Sequence, residues 1–120
     1  MNSKDLQDRT KKFALEIIKV TDFLPNNRIG WTFTDQIVRS STSVAANYRS
    51  ACRARSDKDF ISKMGIIIEE ADETLFWLEM IEESLIIKED VEIDKLKKEA
   101  NELTSIFVSS VKTVKFRLNQ

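Results

Sequence analysis

The stretch Gln36–Phe60, QIVRSSTSVAANYRSACRARSDKDF, decides the reading of this chain, because it holds a helical stripe, a run of small residues, a basic cluster and a helix boundary. Phe33, Ile37, Ser40, Val44, Tyr48 and Ala51 recur at the four-three spacing of one helical face, while Arg39, Arg49, Arg53 and Arg55 fall off that line. The spacing predicts a helix from about Trp31 or Thr34 to Ala54, with a seam of small side chains and a basic flank. Serines 40, 41 and 43 read as spacers that let a second backbone approach, their hydroxyls bonding back to the preceding turn. They do not read as nucleophiles, since a serine nucleophile needs a base such as histidine and the chain contains none. Ser56 followed by Asp59 has the form of a capping box and predicts a new helix just after Arg55.

Outward from this stretch the same periodicity continues. Leu6, Thr10, Phe13, Ile17, Thr21 and Leu24 mark a first helix of about five or six turns. Pro25 disfavours helical geometry in the residue before it, and Asn26 and Asn27 are turn formers, so that helix must stop near Leu24 and Gly30 reads as the last loop position before the second. Phe60, Met64, Ile67, Ala71, Leu75, Leu78, Ile81 and Leu85 form the stripe of a third and longest helix. Ile61, Ile66, Ile68, Phe76, Trp77 and Met80 lie off it, and a helix so widely apolar is usually covered on more than one side. Oligomerisation is expected for that reason. Asp90 is the expected cap of a fourth helix, which carries Ile93, Leu96, Ala100, Leu103, Phe107, Ser110, Val114 and Leu118. Acidic residues lead it and Lys112, Lys115 and Arg117 close it, as a helix dipole favours. With two glycines and one proline in 120 residues, the expected fold is one all-α domain, an antiparallel up-down-up-down four-helix bundle.

The formal charge of −1 gives the whole chain no bias toward polyanions. Its distribution is uneven: residues 59–90 carry two basic and ten acidic side chains, and the three other quarters are mildly basic. Arg39, Arg49 or Arg53 could therefore meet Glu69, Asp72 or Glu73 across the bundle as register-setting ion pairs. Alternatively Arg49, Arg53, Arg55 and Lys58 face outward and hold phosphates, which arginine does through its planar fork. Glu69, Glu70, Asp72 and Glu73 could offer oxygen ligands to Mg²⁺ or Mn²⁺, but a carboxylate cluster on one helix more often answers cations or water. No catalytic residue, cofactor or metal is expected. Cys52 is alone, which excludes an internal disulfide and suits a reducing compartment. No run of apolar residues approaches the roughly 20 that cross a bilayer, and the N-terminus lacks the apolar core of a signal peptide, so a cytoplasmic protein is expected.

The run FLPNNRIGWTFTDQIVRSSTSVAANYRSACRARSDKDFISKM resembles the bacterial four-helix-bundle family that includes proteins encoded in intervening sequences of large-subunit ribosomal RNA genes. The positions that carry the resemblance are Phe23, Pro25, Gln36, Arg39, Ser43, Asn47, Arg55, Ser56, Lys58 and Phe60. The chain departs from the family pattern at Asn47–Ala51, which stands where Asn-Ile-Ala-Glu-Gly is usual, and at Glu69–Glu70, where many members have Gly-Ser. The resemblance implies a bundle that assembles into a homopentamer without known catalysis. It also implies a nucleic-acid link, because related accessory proteins of diversity-generating retroelements form basic pentameric barrels that work with a reverse transcriptase and RNA. The expected function is a non-enzymatic homo-oligomeric scaffold whose partners are RNA, DNA or a nucleic-acid enzyme. The competing expectation is a protein-interaction module that uses the acidic face of the third helix.

Overall fold

The computed structural model describes residues 1–87 and 91–120, in which four helices follow one another: α1 (Ser3–Thr21), α2 (Arg28–Ala51), α3 (Asp57–Glu83) and α4 (Ile93–Leu118). Each helix packs on the next and α4 closes back on α1, giving a rod of 52 × 21 × 21 Å. Across each seam the numbering runs in opposite directions. Phe33 meets Trp77 and Ser40 meets Thr74 between α2 and α3, while Glu82 meets Lys97 and Asp57 meets Arg117 between α3 and α4. This is the antiparallel bundle that short connections impose.

Every position of the α2 stripe is buried, and the interior continues through Ile17, Ile37, Met64, Ile67, Leu78, Leu103 and Phe107, each almost fully shielded from solvent. Among the described residues Ser40, Ser41, Thr10 and Thr74 are the buried polar ones, and the helix geometry accounts for them. Ser40 donates to the Ile37 carbonyl at 3.3 Å, and Thr74 Oγ1 lies 2.8 Å from Ser40 Oγ and 2.9 Å from the Glu70 carbonyl. Small hydroxyl side chains thus satisfy themselves at a depth where an unpaired polar atom would cost about 1–3 kcal/mol.

The helix ends correct two expected boundaries. Asn27 caps α2 by accepting the Gly30 N–H at 3.0 Å, so the helix begins at Arg28 and Gly30 lies in its first turn. Glycine is needed there for space: a Cβ on Gly30 would stand 1.8 Å from the Pro25 carbonyl oxygen. At its other end α2 stops at Ala51, where the N–H groups of Arg53 and Ala54 turn to carbonyls three residues back. Ser56 then caps α3 by accepting from the Asp59 N–H at 3.1 Å, and the Asp59 carboxylate accepts from the Arg55 N–H. The cap expected at Asp90 lies outside the described residues, and Glu92, before Ile93, makes no side-chain cap.

Candidate nucleic-acid interface

The turn between α2 and α3 gathers the expected phosphate ligands at one end of the rod. Arg49 occupies the last turn of α2, Arg53 and Arg55 the connection, and Lys58 the first turn of α3. All four are exposed, and among the described residues none joins an ion pair. Arg49 complements the carbonyl end of α2, whereas Lys58 sits where a helix repels cations and is offset by its neighbours Asp57 and Asp59. The Asp59 carboxyl is held below its ordinary value by the Lys63 ammonium, which donates to it at 2.9 Å, and then by the Arg55 N–H.

Folding adds cations from a distant part of the chain. The Arg117 guanidinium donates to Asp57 at 2.9 and 3.3 Å, which anchors the end of α4 beside the start of α3 and raises the Arg117 pKa. Exposed Lys112 and Lys115 therefore lie at the same end as Arg55 and Lys58. Cutting each helix at its midpoint leaves twelve basic and six acidic residues in that half, against six basic and twelve acidic in the other, among the described residues. A chain of net charge −1 is thus a rod with a basic end and an acidic end. The sequence marks Lys112 and Lys115 only as cations that suit the dipole of the fourth helix, because nothing in their neighbourhood along the chain ties them to Arg55 and Lys58. The acidic-to-basic gradient along the fourth helix places them at this end once it is combined with the alternating helix directions.

The expected ion pairs need a correction of register. Arg39 donates to Glu70 at 3.0 Å and to Glu73, and the Trp77 indole N–H also donates to Glu73 at 3.2 Å. Glu69 and Asp72, expected among its partners, are exposed and join no ion pair among the described residues. Helical phase is the reason: Glu70, Glu73 and Trp77 are three or four residues apart and share the side turned toward α2, while their preceding neighbours are rotated about 100° away. With Glu70 and Glu73 committed to Arg39, the four acids do not converge on a common point, and among the described residues no group of three potential ligands comes together.

Two grooves flank these features. One, about 460 Å³ between α1 and α2, is lined by Lys4, Lys11, Leu15, Ala45, Arg49 and Arg53. The other, about 770 Å³ between α1 and α4, has an apolar floor of Phe13, Val20 and Leu96 under a rim of both charge signs. Arg9 bridges it, donating to both carboxylate oxygens of Glu99 at 2.7 and 2.8 Å, a pairing that raises the arginine pKa. Neither groove joins a nucleophile to a base. Tyr48 and Cys52 are neighbours on α2, but burial, and then the thiol beside it, push the phenol pKa up and keep it protonated. No helix of the described residues is long and apolar enough to cross a membrane.

The comparisons with known proteins agree with the four-helix fold. A crystal structure of a protein of unknown function from the S23 ribosomal protein family of Bacteroides thetaiotaomicron superposes with a TM-score of 0.82 and 32% identity. The match covers 93% of this chain and 99% of that one. A comparison with curated proteins gives no match. Neither the family nor the structural neighbour indicates an enzyme. Residues 3–109 match the family model described as 23S rRNA-intervening sequence protein, and the chain belongs to that family.

Proposed function

We propose that this protein is a non-catalytic, cytoplasmic homo-oligomer, a pentamer by its family resemblance, that binds structured RNA or DNA through its basic end. The observation that carries the reading is the exposed set Arg55, Lys58, Lys112 and Lys115 at that end, outside every ion pair of the described residues, with Arg49 and Arg53 beside it. One subunit offers too few cations for tight polyanion binding. Copies arranged side by side with like ends together would repeat the patch around an axis and build a field that a single chain lacks. A protein-binding role for the acidic side of α3 is the second reading, favoured by exposed Glu69 and Asp72 beside exposed Ile66, Phe76 and Met80.

Titration of a labelled RNA hairpin at several salt concentrations tests the first reading. Binding is expected to weaken steeply with salt, and each phosphate contact removed by Arg55→Ala, Lys58→Ala, Lys112→Ala or Lys115→Ala to lower the log–log slope by roughly 0.7–0.9. Lys95→Ala with Lys98→Ala, in the acidic half, should leave the slope unchanged. Absence of binding at low salt overturns the nucleic-acid role.

A further inference from the structure

The outer side of α3 leaves apolar side chains in solvent: Ile66 is 49% exposed, Met80 39%, and Phe76 48% even with one edge of its ring against Trp77. Glu69 and Asp72 lie between them, exposed and outside the ion pairs of the described residues. Gly65 stands in mid-helix, where glycine costs about 1 kcal/mol against alanine, yet a Cβ there would meet nothing within 4 Å. No close approach within the chain accounts for it.

The α1–α2 groove has the opposite chemistry on a similar scale. Leu15 is 53% exposed and Ile18 40%, small Thr42, Ala45 and Ala46 line the α2 side, Asp8 is neutralised by Lys4, and Lys11, Arg49 and Arg53 stand outside the ion pairs of the described residues. From Lys4 to Ile18 the groove runs fourteen residues along α1, and Ile66 to Met80 is fourteen residues along α3, each about 21 Å at the helical rise.

We infer that the occupant of the α1–α2 groove is the outer face of α3 from a second copy of this chain. This rests on the oligomeric part of the proposed function and specifies which surfaces make the assembly. The choice between pairings follows from charge. Placing α3 on α3 would oppose Glu69 and Asp72 with themselves, and groove on groove would oppose Lys11, Arg49 and Arg53, so like-with-like contacts are repelled. The unlike contact sets carboxylates against guanidinium groups and covers Ile66, Phe76 and Met80 with Leu15 and Ile18. Gly65 gives the small residues of the neighbouring α2 room to come near. Because the two surfaces lie on different sides of the bundle, the contact is heterologous and repeats from copy to copy, the kind of interface a ring of more than two subunits needs. Arg49 and Arg53 then belong to the joint between copies, and Arg55, Lys58, Lys112 and Lys115 remain as the free basic end.

Charge reversal on the intact chain, read by sedimentation and by circular dichroism, tests the assignment. Arg49→Glu with Arg53→Glu is expected to reduce the sedimenting mass to that of one chain while helicity persists, and Glu69→Lys with Asp72→Lys to do the same. Joining all four changes in one chain is expected to regain the oligomer. If either reversal prevents folding, the neutral pair Arg49→Gln with Arg53→Gln reads the same contact as weaker assembly. An oligomer indifferent to both reversals, or folded reversals that do not rescue one another, overturns the docking while leaving oligomerisation intact. A wild-type monomer at working concentration overturns both.

Discussion

The α2–α3 seam and the α1–α4 seam enclose the same core but hold together by different means. Between α2 and α3 the contact is continuous: Phe33 packs on Trp77, Ser40 meets Thr74 with both fully buried, and Arg39 reaches two carboxylates. Between α1 and α4 the helices part around a groove, and the Arg9–Glu99 fork spans it. The difference follows from side-chain size and connection. A five-residue turn and a line of serines bring α2 and α3 close, whereas α1 and α4 are not consecutive and face each other with long charged residues. Close seams specify register; open seams leave room at the surface.

That contrast is most exposed at Ser40. Ser40→Leu should cost about 3 kcal/mol in urea denaturation, since extra methylenes have nowhere to go in a filled interior and the Thr74 contact is lost. Arg9→Ala should cost only about 1 kcal/mol, the range of a bidentate pair that water still reaches. If the arginine change proved the costlier, the ranking of the two seams would be reversed. The smallest effect is expected at the corner that joins α2 to α3. Asp59 has a folded pKa below its unfolded value, so its contribution is complete above about pH 4 and disappears as pH falls through the folded value. Asp59→Asn should therefore flatten the acid limb of the stability profile. An unchanged limb would remove Asp59 from the account of the corner.

Much of this architecture was legible in the sequence because burial is periodic: the positions from Phe33 to Ala51 that predict the α2 stripe are the ones buried. Phase was less legible. A one-residue step separates Glu69 from Glu70 and Asp72 from Glu73, and only the packed orientation of α3 decides which of each pair reaches Arg39. Boundaries depended on a single side chain, since the Asn27 cap moved the start of α2 back past the glycine that reads as a loop. The basic end was half visible: Arg49 to Lys58 are contiguous in sequence, but Lys112 and Lys115 join them only when α4 returns to the starting end. Exposed apolar residues on α3 were foreseen as a surplus, yet the groove that matches them requires two helices to be placed.

The contact between Gly30 and Pro25 bears on how that groove is made. With the Pro25 carbonyl pressed to a position where no side chain fits, and with Asn26 accepting from the Trp31 indole N–H at 2.8 Å, the connection from α1 to α2 is folded onto the first turn of α2. Such a joint has little slack, so the two walls of the groove are fixed relative to each other when the chain folds. The ordering entropy of the site is then met in folding and not at the moment of contact, which makes α1 and α2 a preorganised cradle.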